Sequence, residues 1–524
     1  MPIIDITQLK ESDSSNADVC VIGTGPGGAS VAIDLASKGY NVLILETGSN
    51  KADSVFEKYI EQPLNFEKIA SRFGFSRQFG GTSNLWAGRT APLEGVDFSK
   101  TGNELSSWPI TNEDLMPFYQ CAADIIGIEK PEYIKQSDGI PLPPEGWSSL
   151  FSEEGLDLKR FQWCEIPFNT ADYLAKHSLK LDGLTICIGA HVMCLIENEE
   201  KTNVEKISVI ENSGRIIDIR AKVFIVAAGG IETPRILLNS TNQRSTGIGN
   251  DYGQVGRYFS THPKMNAAKL LLKSSVFISN PLYMDFTVDK MRLRDGIGFS
   301  QKKVVDSIKL NHYVQLSPAL EQFGMDKLDS LNSGSFRGGF LFKNLSFVHK
   351  YVAALGKRAY NLIGRLGIIQ RKTKVFTLRA FFDQYPHPDN RIKLSTEKDQ
   401  YGQYKSQICW EFKKKDRESV ICFFEELNAE FQASGIGEVD YSVLKSSDDW
   451  GLIDMHSHFM GTTRMGKDPL ISVTDENCKV HGMSNLYISG PSLFPTYGYA
   501  NPFYTIFALG LRLSTHIDQE KLAR

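Results

Sequence analysis

One stretch near the N-terminus restricts the fold more than any other. Asp18–Ile22 is mostly β-branched or apolar and reads as a buried parallel strand. Gly23-Thr-Gly25-Pro-Gly-Gly28 follows at once, then a helix expected from Ala29 to Lys38, stopped by Gly39. Asn41–Leu45 reads as a second buried strand, and Glu46 closes it, 18 positions past Gly28. A strand, a glycine turn, a helix and a strand ending in an acid form a dinucleotide-binding βαβ unit. Gly23 permits the tight turn, Gly25 lets backbone approach a pyrophosphate, and Gly28 lets helix and strand pack closely. Glu46 can accept hydrogen bonds from ribose hydroxyls. The free N–H groups of the helix start favour phosphate. A bare glycine-rich turn without a ligand is the bland alternative. The position of the unit so near the N-terminus of a 524-residue chain, and the lack of a second GxGxxG, suit FAD better than a nicotinamide nucleotide.

Composition removes several classes. Lys and Arg number 58 against 61 Asp and Glu, a net charge of −3, so a dedicated nucleic-acid binder is not expected. Eight cysteines form no CxxC pair, which argues against a disulfide framework or zinc ribbon, and no metal site is expected. The polar N-terminus lacks a basic, then apolar leader, and no apolar run reaches spanning length, so a cytoplasmic location is expected.

Further along, 71–92 is a loop dense in Gly, Ser, Thr and Asn with Trp86 inside it. Thr111 reads as the N-cap of a helix from Asn112, with Asp114 at N3. Two or three strands are expected from Leu184 to Phe224, then a buried strand Val223–Ala228 and a helix around Thr233–Leu238. Residues 265–440 look like an inserted module. The chain ends with a short strand, Leu486–Ser489, and a helix, Pro502–Ile517.

The C-terminal part carries His458-Phe-Met-Gly-Thr-Thr-Arg464-Met-Gly, and Asn501-Pro502 lies 43 positions after His458. With the N-terminal fingerprint, Gly80-Gly-Thr-Ser-Asn-Leu-Trp-Ala-Gly88, Val226-Ala-Ala-Gly-Gly-Ile-Glu-Thr-Pro-Arg235, Gly253-Gln-Val-Gly-Arg257, Asn390-Arg391 and Gly490-Pro-Ser-Leu-Phe-Pro-Thr496, the chain resembles the glucose–methanol–choline (GMC) oxidoreductases. It looks most like the branch that oxidises sugars and aldonates. The resemblance implies an α/β fold: a Rossmann-like FAD domain, 1–262 and 441–524, and an inserted α+β substrate domain, 263–440, with a largely antiparallel sheet. Parts of 93–185 are expected to contribute to the latter.

It also implies an alcohol lying over the flavin, with His458 and Asn501 beside its hydroxyl. A neutral imidazole can take the hydroxyl proton while hydride leaves the carbon, and the amide can hold the oxygen. Gly81, Thr82, Asn84 and Trp86 are candidates to line the ring system, though a purely structural loop is the alternative. Val192 and Gly229 are matched to the adenine side, and Gly490 and Pro502 to further cofactor contacts. Gly490 stands where many relatives carry Asp. Leu85 stands where some relatives tether the flavin through His, so non-covalent FAD is expected. His456 and His481 read as structural, and Arg464 as a loop anchor.

The implied reaction converts a CH–OH group of a sugar, glycoside or polyol to a carbonyl. O2, a quinone or a redox protein would reoxidise the flavin. A sterol or aliphatic alcohol oxidase and a non-catalytic flavin subunit are the alternatives. Finally, 335–374 holds nine Lys/Arg and no acid among aromatic and aliphatic residues. Such a segment could contact an anionic membrane or an acidic protein, or simply form a solvated cover.

Overall fold

The computed structural model describes residues 3–9, 17–49, 64–65, 76–98, 107–131, 143–211, 213–277, 280, 282–288, 291–307, 309–319, 372–446, 450 and 458–523. Most of the basic stretch 335–374 lies outside these residues, as does His456.

The apolar runs become a parallel sheet buried on both faces. Among the described residues it has six strands: β1 (Ile3–Asp5), β2 (Ala17–Ile22), β3 (Val42–Glu46), β6 (Leu184–Ile188), β10 (Ala221–Val226) and β19 (Leu486–Ile488). Their order is β1-β6-β3-β2-β10-β19. Ile22 pairs with both Leu45 and Val226, and Val226 pairs with Ile488. The carboxyl ends of β3, β2, β10 and β19 are therefore level. The turns that follow them open onto one edge, where α/β sheets bind ligands.

Helix α1 (Pro26–Ser37) begins three residues before the expected Ala29. Proline fits the first helical position, and the glycines after it are tolerated because the helix must lie close to its neighbours. A Cβ on Gly510, in the last helix, would come within 1.9 Å of Ser30 Oγ. That helix is α5 (Phe503–Gln519). Helix α2 (Asn112–Ile126) starts with the expected capping box of Thr111 and Asp114. It binds α5 through Tyr504 Oη donating to Tyr119 O at 2.7 Å.

The region from Leu184 to Phe224 holds more strands than expected. β6 joins the parallel sheet, whereas β7 (His191–Glu197), β8 (Val204–Ile210) and β9 (Ile216–Ile219) form a separate antiparallel meander. The turn signals marked the breaks, but not which sheet each run would join. A two-stranded ribbon, β16 (Arg391–Lys398) and β17 (Tyr404–Cys409), stands apart.

The second large sheet is antiparallel. It comprises β4 (Arg89–Thr90), β5 (Leu156–Trp163), β11 (Lys264–Phe277), β13 (Met291–Phe299), β14 (Tyr313–Pro318), β15 (Lys372–Phe381) and β18 (Gly437–Asp440), with β12 (Phe286–Val288) on β13. Strand alternation gives it two apolar faces. Leu316, Phe376 and Leu378 pack with helix α4 (Lys414–Ala433) through Phe423 and Leu427. Phe161, Tyr313 and Phe381 instead enter the core of the parallel sheet. No helix among the described residues is long and apolar enough to cross a membrane.

Candidate active site

The turn after β2 is held by close backbone contacts. Gly23 has φ +108°, and a Cβ on it would stand 2.6 Å from Ala227 O at the end of β10. A Cβ on Gly28 would meet Gly23 O at 2.0 Å. Helix α1 opens on Gly25 without a side-chain cap. Helix α3 (Gly229–Asn239), after β10, likewise lacks one, as does α5, whose N-cap is Pro502. Among the described residues, a Cβ on Gly25, Gly229 or Gly490 would meet no atom within 4 Å. Bare backbone with open space beside it thus follows three adjacent strands. A side chain at any of these points would fill the cradle a dinucleotide needs.

Glu46 is buried and its oxygens are partly used. Oε2 accepts from Thr24 N at 3.1 Å and Thr24 Oγ1 at 2.5 Å, and Oε1 accepts from Gly48 N at 2.9 Å. Burial raises its pKa, and these hydrogen bonds and Arg77 oppose the rise. Glu46 therefore fixes the turn itself, and lone pairs remain for a ribose. Ala190 N donates to Glu46 O at 2.9 Å. This bond brings the start of β7, with Val192 paired to Val209, against the same strand end.

The glycine-rich loop lies over the turn. Gly80 N donates to Thr24 Oγ1 at 2.9 Å, and a Cβ on Gly81 would sit 3.2 Å from Gly25 Cα. Thr82 is exposed. Asn84 Nδ2 donates to Phe79 O and Gly81 O at 3.0 and 2.9 Å, and its Oδ1 accepts from Asn169. Its amide ties the loop together. Trp86 stacks on Phe503 at 3.8 Å and donates to Phe168 O. Sequence reasoning had aimed both side chains at the flavin ring. The structure gives both contacts within the protein.

The segment from His458 is sewn to this edge. Thr462 Oγ1 donates to Gly230 O at 2.7 Å, and Met460 exchanges two backbone hydrogen bonds with Ser260. His458 Nδ1 lies 2.8 Å from Nδ1 of His262, and His262 Nε2 lies 2.9 Å from Gly498 O. Tyr497 packs edge-on against His262 at 4.7 Å. Asn501, three residues past Gly498, donates from Nδ2 to Arg89 O at 2.8 Å. The second hydrogen of that NH2 group is a further donor.

These partners dictate the tautomers. A carbonyl only accepts, so His262 Nε2 carries a proton. Burial lowers the His262 pKa to about 4, so the ring is neutral and its Nδ1 is a lone pair. His458 must then donate from Nδ1, which leaves its own Nε2 unprotonated. Burial, then His262 and then Lys264, hold the His458 pKa well below 6.5. A neutral imidazole with an unprotonated Nε2 is a ready proton acceptor. His262 was missed in the sequence. The available signal was its position before a proline, five residues after Arg257 in the quoted glycine motif. His481 bonds Ser472 at 2.9 Å, and Arg464 lies over Tyr258 at 4.5 Å, both structural contacts.

The chain is similar to several known proteins. Residues 386–510 match the family described as GMC oxidoreductase. The chain is 25% identical to 2-methyl-1,2-propanediol dehydrogenase of Mycolicibacterium austroafricanum, over 97% of this chain and 96% of that one. It is 21% identical to the fructose dehydrogenase large subunit of Gluconobacter japonicus, over 97% and 98%. It is 24% identical to 6'''-hydroxyparomomycin C oxidase of Streptomyces lividus, over 95% and 91%. In fold it is similar to pyridoxine 4-oxidase from Mesorbium loti, with TM-score 0.56, 17% identity, and coverage of 96% and 99%.

Proposed function

We propose that the chain is a GMC oxidoreductase that oxidises a CH–OH group of a sugar, glycoside or related polyol to a carbonyl, with FAD as hydride acceptor. Relatives named for a propanediol, for fructose and for hydroxyparomomycin support an alcohol of this kind. The open edge at Gly25, Gly229 and Gly490 fits a dinucleotide, and Glu46 would hold its ribose. Leu85 cannot form the covalent link that His would, so the flavin is held without one. Bound there, the flavin supplies the redox chemistry by accepting the hydride.

The hydrogen bond between His262 and His458 carries the proposal. It leaves Nε2 of His458 as the proton acceptor for the substrate hydroxyl. Removing that proton gives the oxygen alkoxide character and pushes hydride from the carbon. Asn501 would donate to the same oxygen and fix the carbon in line. When His458 takes the proton, its Nδ1–H still donates to neutral His262, so the new cation keeps a partner.

His262 is then a positioning residue. His262→Leu should keep bound flavin but slow its anaerobic reduction roughly 10–100-fold, the range for an orienting partner. His262→Asn, whose oxygen can accept from His458 Nδ1, should restore most of the rate. The pH profile separates this from a packing defect. The base works only when neutral, and its pKa lies below 6.5, so wild-type reduction should stay level as pH falls through 6.5. In His262→Leu the imidazolium loses the acceptor for its Nδ1–H while burial remains, so the acid-side fall should move further below 6.5. An unchanged rate and profile in His262→Leu would count against the role.

A further inference from the structure

The face of the antiparallel sheet that looks towards Asn501 carries arginines that form no ion pair among the described residues. The register places Gly298 opposite Tyr313, Tyr313 opposite Phe381, Arg294 opposite Phe161, and Arg89 opposite Trp163. Stepping by two along each strand, Arg89, Arg294, Arg379, Tyr313, Phe161 and Phe381 share one face. It is the face packed into the parallel-sheet core. Tyr499, two residues before Asn501, lies 5.2 Å from Tyr313 and 5.5 Å from Phe161, ring to ring. Arg89 is also the residue whose carbonyl holds Asn501.

One phenol, Tyr313, feels all three guanidinium groups. Arg89 Nη2 donates to Tyr313 Oη at 2.6 Å, and Arg89, Arg294 and Arg379 all act electrostatically on Tyr313. Arg89 Cζ sits 3.9 Å from the Phe161 ring centroid. Arg294 is buried and donates from Nη2 to Leu316 O. Among the described residues, Nε of Arg89 and Nε of Arg294 are buried without hydrogen-bond partners.

Neighbouring carboxylates are taken by other cations: Asp285 by Arg292, Asp295 by Arg160 at 2.8 Å, and Glu94 by Lys159 at 2.8 Å. Among the described residues, none of the three arginines forms an ion pair. Burial pulls Arg294 down to about 10, so it still holds its charge at neutral pH. Of the three, Arg294 is buried, Arg89 half-buried and Arg379 exposed, and a buried guanidinium without an anion is costly even where aromatic rings offset part of that cost. Guanidinium forks match carboxylate and phosphate oxygens two at a time.

We propose that Arg89, Arg294 and Arg379 bind a carboxylate or phosphate group of the substrate, so that the preferred polyol is a sugar acid or sugar phosphate. This rests on the functional reading above. The anion would anchor one end of the molecule and present a hydroxyl to His458 and Asn501.

Calorimetric titration of the flavin-loaded protein tests the anion site without requiring turnover. The probes are a panel of aldonates, uronates and sugar phosphates, each beside its neutral polyol. At about 50 mM salt the best anionic probe should bind at least roughly tenfold tighter than its neutral counterpart, and about 500 mM salt should erode that gap. Whether acid or phosphate binds tighter tells which group is read. Arg294→Gln should weaken the anionic probe roughly 10–100-fold. Arg379→Gln, at an exposed position where folding is not at risk, should weaken it at least several-fold. Neutral polyols binding as tightly as every anion, or an Arg379→Gln protein with unchanged anion affinity, would overturn the proposal. Flavin bleaching by the same panel judges the functional reading separately. Anion binding without bleaching by any compound would retain this site and strike that reading.

Discussion

Replacing His458 with alanine should leave FAD bound and slow its anaerobic reduction by on the order of 10²–10⁴-fold, the usual contribution of a positioned base. The His458 side chain meets His262 through Nδ1, whereas the cradle is built from glycine backbone at Gly25, Gly229 and Gly490. Loss of the imidazole therefore removes the proton acceptor without removing a flavin contact. The residual rate would come from binding and from Asn501. Visible spectroscopy checks retention of the flavin, and stopped-flow absorbance checks the rate. Wild-type bleaching in the alanine variant would take His458 out of the chemistry.

A pair of glycine substitutions should separate flavin binding from folding. Gly28→Ala places a Cβ 2.0 Å from the carbonyl oxygen of Gly23, inside one βα turn. Neither backbone can retreat without parting α1 from β2, so the cost should exceed the ~3 kcal/mol of ordinary overpacking. That protein should be poorly folded and colourless. Gly25→Ala meets no atom of the described residues within 4 Å, and Gly25 has φ −65°, which alanine adopts freely. Its apoprotein should melt like wild type. The methyl group would nevertheless intrude where the pyrophosphate approaches, weakening FAD by about 1–3 kcal/mol, or roughly 5–150-fold. Flavin titration of the refolded apoproteins and thermal melts without flavin measure both effects. Equal flavin affinity in Gly25→Ala and wild type would show that the edge is not the nucleotide site.

The parallel sheet was legible because its strands are buried on both faces and read as unbroken apolar runs, as in β2, β3 and β10. Helix α1 was placed three residues late because propensity disfavours Pro26, Gly27 and Gly28, while packing rewards them. Gly27, for instance, accepts from Ser489 Oγ at 2.9 Å at the end of β19. The antiparallel sheet was legible only as a divergent module, because β5 pairs with β13, more than a hundred residues away. The arginine cluster was invisible for the same reason, since Arg89, Arg294 and Arg379 are neighbours only through that pairing. In the glycine-rich loop, residue type suggested cofactor contacts for Asn84 and Trp86, but it could not reveal that Asn84 Nδ2 ties the loop together while Trp86 bonds Phe168 and stacks on Phe503. His262 had no motif spacing to His458, and a hydrogen bond across 196 residues leaves no local trace.

The most direct test mixes the yellow holoenzyme anaerobically with its polyol substrate, carrying either hydrogen or deuterium on the carbinol carbon, and follows loss of the flavin band. The account predicts that bleaching yields a carbonyl product, slows several-fold with deuterium, and nearly vanishes in His458→Ala. A purified protein that holds no flavin, or a flavin that stays oxidised with every alcohol offered, would contradict it.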